Sequence, residues 1–387
     1  SGELPKYDEN SVRYIAYKEI EKRFAQNEGN SGLAKIEIDP NLYPKARNLI
    51  EVGIRDALQF WGKEQLPEAH FIAGAKTQWF LEITCGYSAK PETQIYKDCL
   101  NKSYDGLGTG SGWPNYQEKL NQMWGAVFGP NLDPYTGSAR QSAAWGYIST
   151  TEPSISEISL FTAGTHEITH LAQWNAFDLA GSSSDRAANF LSQEQKGNIN
   201  SDLLLKPTLW IEGSASYFGA AIANLRNPNA LEGVNPSKPN WLSGTVPTLD
   251  SLSNYVMNIS CPCTAEVMAE RQKNMNLQYW AGALMTELMV AQFGLDKTIN
   301  LMNSYKIMYL DKTASWQSIF KDNFGVDWIS WSKNADLYIN DMALGNATNI
   351  TKYNQTFAAT ATAPKAPRID KVIAGIQFKL PVVKNAQ

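Results

Sequence analysis

Apolar residues recur at helical intervals through most of this chain, with a few strand-like stretches between them. Over residues 11–25, Val12, Ile15, Ile20 and Phe24 are interleaved with charges, which predicts an amphipathic helix. A second helix is predicted over 44–61, with Ala46, Leu49, Ile50, Ile54, Leu58 and Phe60 on its apolar side. The run HFIAGAKTQWFLEITCGY, residues 70–87, has alternating and β-branched character and predicts strands. AAWGYIST, residues 143–150, predicts a further strand at a sheet edge. A helix is then expected over 156–176, where Phe161, Ile168 and Ala172 form one buried stripe.

A polar excursion follows in AGSSSDRAANFLSQEQKGNINSD. Next comes TLWIEGSASYFGAAIANL, a buried helix rich in Gly, Ala and Ser, whose small side chains allow close helix approach. NLQYWAGALMTELMVAQFG is a strongly apolar helix ended by Gly294, and DKTINLMNSYKIM and TASWQSIFKDNF predict two more. The glycines of YDGLGTGSGWPNY lack a following Lys-Ser/Thr and read as a loop rather than a phosphate cradle. Beyond Leu344 the composition shifts to Asn, Thr, Ala and Pro, with KVIAGIQFKL the only strand-like piece. The expected class is α+β. Residues 1–155 would form a mixed helix and strand lobe whose sheet packs on the 156–176 helix. Residues 156–342 would form a helical lobe across a cleft, and 343–387 an extended tail.

Composition narrows the partners. A net charge of −4 over 387 residues lacks the basic surface that nucleic acid requires. No apolar run reaches the roughly 18 residues of a membrane-spanning helix. The Trp and Tyr residues are ordinary core material and carry no function by number alone. The cysteines Cys85, Cys99, Cys261 and Cys263 allow three pairings, and Cys85 with Cys99 could close the polar loop between them. Asn-x-Ser/Thr acceptors stand at Asn101, Asn258, Asn346, Asn349 and Asn354. With a start at Ser1-Gly2, read as a processed terminus, these features favour an extracellular, periplasmic or cell-surface location. The oligomeric state is left open.

The chemistry concentrates in FTAGTHEITHLAQW, which holds two of the three histidines in the chain. Residues four apart share a helix face, so His166 and His170 can direct ring nitrogens at one cation. Glu167 is offset around the helix, where its carboxylate can act on a water without ligating the metal. This is the H-E-x-x-H spacing of a zinc site. Catalytic zinc takes a third protein ligand and keeps an open position. No histidine follows His170, and His70 lies far upstream in strand-like sequence, where a core or solvent-facing role fits it best. A carboxylate must complete the set. Glu212 is the best candidate, being an isolated acid in an apolar helix, where an unpaired charge is costly. Asp178, Glu194 and Asp202 are nearer in sequence but stand in polar surroundings.

HEITH followed by W-I-E-G-x-A-x-Y resembles the gluzincin metallopeptidases, the thermolysin-like and aminopeptidase-N-like group. QYWAGALM resembles the Y-x-x-G-A segment of aminopeptidase-N relatives. The resemblance covers roughly residues 143–300. It implies one zinc on His166, His170 and Glu212, with Glu167 as general base and then acid. It also implies Tyr279 as oxyanion donor, with Gly282 in register and Tyr217 as the alternative donor. The strand at Trp145, Gly146 and Tyr147 could pair with an extended peptide substrate through a free sheet edge. The G-x-M-E-N segment that anchors a free amine is not present, and Ser216 stands where thermolysin-like relatives have an Asp. The implied activity is therefore peptide hydrolysis, as an endopeptidase. The competing readings are a zinc-containing surface or binding protein without turnover, and a hydrolase of non-peptide amides or glycans.

Overall fold

The computed structural model describes residues 8–40, 42–74, 78–86, 89–106, 124–132, 139–146, 157–176, 207–234, 248–253, 265–310 and 314–354. Helix α1 (Val12–Gln26) is started by Ser11, whose hydroxyl accepts from Tyr14 N at 3.2 Å. Strand β1 (Leu33–Ile38) leads to α2 (Pro44–Gln65), which has proline in its first turn and kinks at Gly62. Then come β2 (Glu68–Gly74), α3 (Gln78–Gly86), α4 (Gln94–Gly106), β3 (Trp124–Leu132) and β4 (Ala139–Gly146). The remaining helices are α5 (Glu157–Ala176), α6 (Thr208–Asn224), the short α7 (Leu249–Ser253), α8 (Ala265–Phe293), α9 (Leu295–Leu310), α10 (Trp316–Phe324) and α11 (Trp328–Leu344). The protein is α+β.

The four strands form one sheet in the order β1-β2-β4-β3. β1, β2 and β4 run parallel, and β3 is antiparallel to β4. Central β2 buries Ala69, Phe71, Ile72 and Ala73, as a strand covered on both faces should. The sheet lies against α2 and α5, and α5 packs on α6, which packs on α8. One apolar core runs through these layers, from Phe60 and Trp61 on α2 to Phe218 on α6 and Leu284 on α8. Trp316, Phe320, Trp328 and Trp331 form an aromatic cluster between α10 and α11, which is what the tryptophans of this region do.

Inside the helical layers Arg13 meets Glu287 in a fully buried two-pronged ion pair at 2.8 and 3.2 Å, and Tyr338 donates to the same carboxylate at 2.6 Å. The pair fastens α1 to α8 and α11. The start of α1 also bridges the chain near its other end, with Val12 N donating to Thr348 O and Ile350 N to Asn10 O. Cys85 on α3 and Cys99 on α4 form a disulfide, so this pairing is the one adopted. Cys261 and Cys263 lie outside the described residues.

Three expectations need correction. Strand character was expected through residue 87, but β2 ends at Gly74 and α3 follows. There Trp79 and Ile83 are partly buried and Glu82 is exposed, a helical interval that the alternating reading overlooks. The 276–294 helix begins eleven residues earlier, because its polar first turns continue the same helix. Over 143–146 the expected edge strand is interior. Trp145 pairs with both Ala73 and Gly125, and Gly146 with both Gly74 and Trp124. Its backbone groups there are committed, and a substrate cannot extend the sheet at Trp145 or Gly146. Among the described strands β3 is the edge on that side. Tyr147, the 180–202 excursion and the tail beyond 354 lie outside the described residues.

Candidate metal centre

Two helices carry the candidate ligands and a third completes the surroundings. On α5 the four-residue interval sets His166 and His170 on one face, their Nε2 atoms 3.0 Å apart. On α6 Glu212 directs Oε2 to 3.4 Å from His166 Nε2 and 3.3 Å from His170 Nε2. Donor atoms around a tetrahedral ion with bonds of about 2.0–2.1 Å stand about 3.3–3.4 Å apart. The three atoms therefore match the spacing of such a set, and these residues alone among those described gather as a His/Cys/Asp/Glu cluster able to hold a metal.

The burial makes the same point. Glu212 is buried, and its Oε2 has no hydrogen-bond partner although two imidazole nitrogens face it. A buried carboxylate oxygen without a donor costs a few kcal/mol. Burial pushes the Glu212 carboxyl up, yet His170 and His166 outweigh it and hold it well below the usual carboxylate range. Burial pulls His170 down, but its interactions with Glu212, then Glu167 and Gln173, together outweigh this and leave its pKa raised. The raised His170 value and the lowered Glu212 value share one cause, a buried carboxylate that favours positive charge beside it.

Glu167 follows His166 and is buried beside the cluster without being part of it. Burial raises its pKa, the two histidines oppose this, and the Glu212 charge adds to the rise. It is a carboxylate biased toward accepting a proton. Tyr279 on α8 stacks its ring on His166, with centroids 6.0 Å apart and planes at 15°. Burial first, then the Glu212 charge and a hydrogen bond to that carboxylate, and last the Glu167 charge, push its hydroxyl well above the ordinary tyrosine value. Tyr279 therefore stays an O–H donor at neutral pH.

Helix spacing explains how Tyr279 arrives there. Gly213, next to Glu212, and Gly282, one turn after Tyr279, touch backbone to backbone: a Cβ on Gly213 would fall 2.3 Å from Gly282 Cα. On the other side of α6, a Cβ at Gly219 would stand 3.1 Å from His166 Cα. Two glycine contacts thus bring α6 close to α5 and α8 at the level of the site.

The remaining expected residues are placed as follows. Tyr217 is fully buried among core aromatics, and its electrostatic neighbours are Glu287, Arg13 and Tyr17 rather than Glu212. It stands five residues beyond Glu212, on a different face of α6, and is not brought to the metal cluster. His70 on β2 pairs with Glu37 at 2.9 Å, away from the site. Asp178, Glu194 and Asp202 lie outside the described residues. Gln173 was not singled out by the sequence; it buries its amide between His170 and α6. The available signal was its position one turn after His170.

Comparison with protein-family models, curated proteins and solved structures finds no match for the chain.

Proposed function

We propose that the protein is a metal-dependent hydrolase whose single zinc is held by His166, His170 and Glu212. Within that class the reading favoured is a zinc peptidase of the gluzincin type that cleaves peptide bonds as an endopeptidase. One observation carries it: a buried carboxylate oxygen, without a hydrogen-bond donor, faces two imidazole nitrogens at the separations of a tetrahedral ligand set. The donor chemistry, two nitrogens and one carboxylate oxygen, suits zinc and leaves one position open.

Bound there, zinc would lower the pKa of a water toward 7 and polarise the scissile carbonyl. Glu167 takes the water proton on its carboxylate and delivers it to the leaving nitrogen. Tyr279 donates its O–H to the carbonyl oxygen as charge develops there. A protein that only stored or displayed zinc would have no use for a base in the position of Glu167, which favours turnover over simple binding. The substrate is expected to enter a cleft between the sheet and the helical part, without adding a strand to β4.

Elemental analysis of the purified protein tests the ligand set, with about one zinc per chain expected. His166→Ala, His170→Ala and Glu212→Ala should each lose it. Glu167→Gln should retain zinc and abolish cleavage of a broad peptide library. Absence of zinc from the wild type overturns the proposal. Zinc with no cleavage by either protein favours the binding reading, and release of single N-terminal residues overturns the endopeptidase assignment.

A further inference from the structure

Gln173 joins the two ligand-bearing helices through a ligand ring. It lies one turn beyond His170 on α5, is fully buried, and makes three short hydrogen bonds. Its Nε2 donates to Ile211 O and to Ser214 Oγ on α6, each at 2.8 Å. Its Oε1 stands 2.7 Å from His170 Nδ1. The amide orientation follows from these contacts. Reversing it would set the amide oxygen against the Ile211 carbonyl oxygen and the NH2 group against the imidazole. With Oε1 facing the ring, only an Nδ1–H can satisfy it. The imidazole is thereby held with Nε2 turned to His166 and Glu212.

We infer that Gln173 is a positioning residue for the site, fixing the His170 ring with Nε2 toward Glu212 and tying that ring to the segment of α6 that carries Glu212. The inference rests on the metal-site reading above and extends it. Ile211 immediately precedes Glu212, so the amide that orients His170 also grips the chain at the third ligand. The two ligands on separate helices then move as one unit. Outer partners of this kind typically change metal affinity by 10–100-fold when removed.

The test uses the full chain with Gln173→Met, which keeps length and apolar bulk but removes the amide. The control is Thr165→Val. Thr165 Oγ1 donates to Gly219 O at 2.7 Å, a second buried bond between the same two helices that touches no ligand ring. Zinc affinity is measured by chelator competition, and melting is followed on the zinc-free proteins. The His170 Nδ1–H resonance is recorded by NMR in zinc-free protein. Gln173→Met should weaken zinc about 10–100-fold and lose the exchange-protected His170 proton. Thr165→Val should keep both, with a comparable loss of melting temperature. Wild-type zinc affinity and a protected proton in Gln173→Met would overturn the inference, as would an equal loss of zinc affinity in Thr165→Val. If the wild type binds no zinc, the zinc proposal fails while the proton resonance still decides whether Gln173 orients the ring.

Discussion

The backbone contact between Gly213 and Gly282 offers a sharp perturbation, because a single methyl group has nowhere to go. A Cβ at Gly282 would sit 2.0 Å from Leu209 O and 2.7 Å from Gly213 Cα, both helix backbone. Ordinary contact begins near 3.4 Å, so Gly282→Ala requires α6 and α8 to separate by roughly 1 Å. Overpacking of this kind costs about 1–3 kcal/mol, a drop of a few degrees in melting temperature. The larger consequence falls on the site, because Tyr279 is one turn from Gly282 and Glu212 adjoins Gly213. Misplacement by about 1 Å at a reacting centre can lower turnover about 100-fold. The assay is turnover on a fluorogenic peptide, with zinc content and thermal melting measured on the same samples. Zinc should be retained, since the His166, His170 and Glu212 contacts lie across the α5–α6 interface. Gly233→Ala is the control, because a Cβ there meets nothing within 4 Å. Wild-type turnover and melting in Gly282→Ala would show that the close crossing does not set the position of Tyr279.

Three further outcomes are expected. Tyr279→Phe should lower turnover about 10²–10³-fold with zinc content and melting nearly unchanged; a large loss in Tyr217→Phe instead would refute the assignment of the donor. Glu287→Gln leaves the buried Arg13 guanidinium without its counter-charge and should cost about 3–5 kcal/mol in urea unfolding, while the double variant Arg13→Met/Glu287→Leu should recover much of that. Equal losses in the single and double variants would refute the pairing argument. Burial raises the Asp336 carboxyl to about 6, against the opposing Leu249 N–H and with the Asp250 charge adding to the rise. The folded state therefore binds this proton more tightly than the unfolded chain, and the stability it contributes is present below about pH 4 and lost as pH rises through about 6. Asp336→Asn should stabilise the protein by on the order of 1 kcal/mol at pH 7.5, with the gap closing by pH 4; a gap independent of pH would refute this.

What could be read from the sequence divides along a physical line. The histidine pair was legible because its spacing is a property of one helix, fixed by pitch. Glu212 was legible because a lone acid in an apolar helix demands a partner, and only the histidines offered one. The strand near Trp145 was legible as a strand, but its standing as edge or interior depends on residues 124–132, which are paired to it by the fold and not by local pattern. Helix α11 is hard to see in the sequence even though Trp328, Trp331, Ala335, Tyr338 and Ile339 recur at helical spacing. Its abundance of Ser, Asn and Asp hides that stripe.

Contacts between helices were the least legible class. Arg13 on an amphipathic helix reads as a solvated charge, and only the approach of α8 and α11 makes it a buried one. Gln173 is an ordinary helical residue until Ile211 and Ser214 fix its amide. The glycines mark the boundary between the two cases. Small residues at 213, 219 and 282 signalled that helices come close, yet no local pattern says which helix meets which. That choice determines whether a tyrosine lies in the core, as Tyr217 does, or against a ligand histidine, as Tyr279 does. Both tyrosines sit near a glycine in similar apolar sequence. Tyr217 shares α6 with Glu212 but lies on another face of it, whereas Tyr279 reaches the site from α8 through the Gly213–Gly282 crossing.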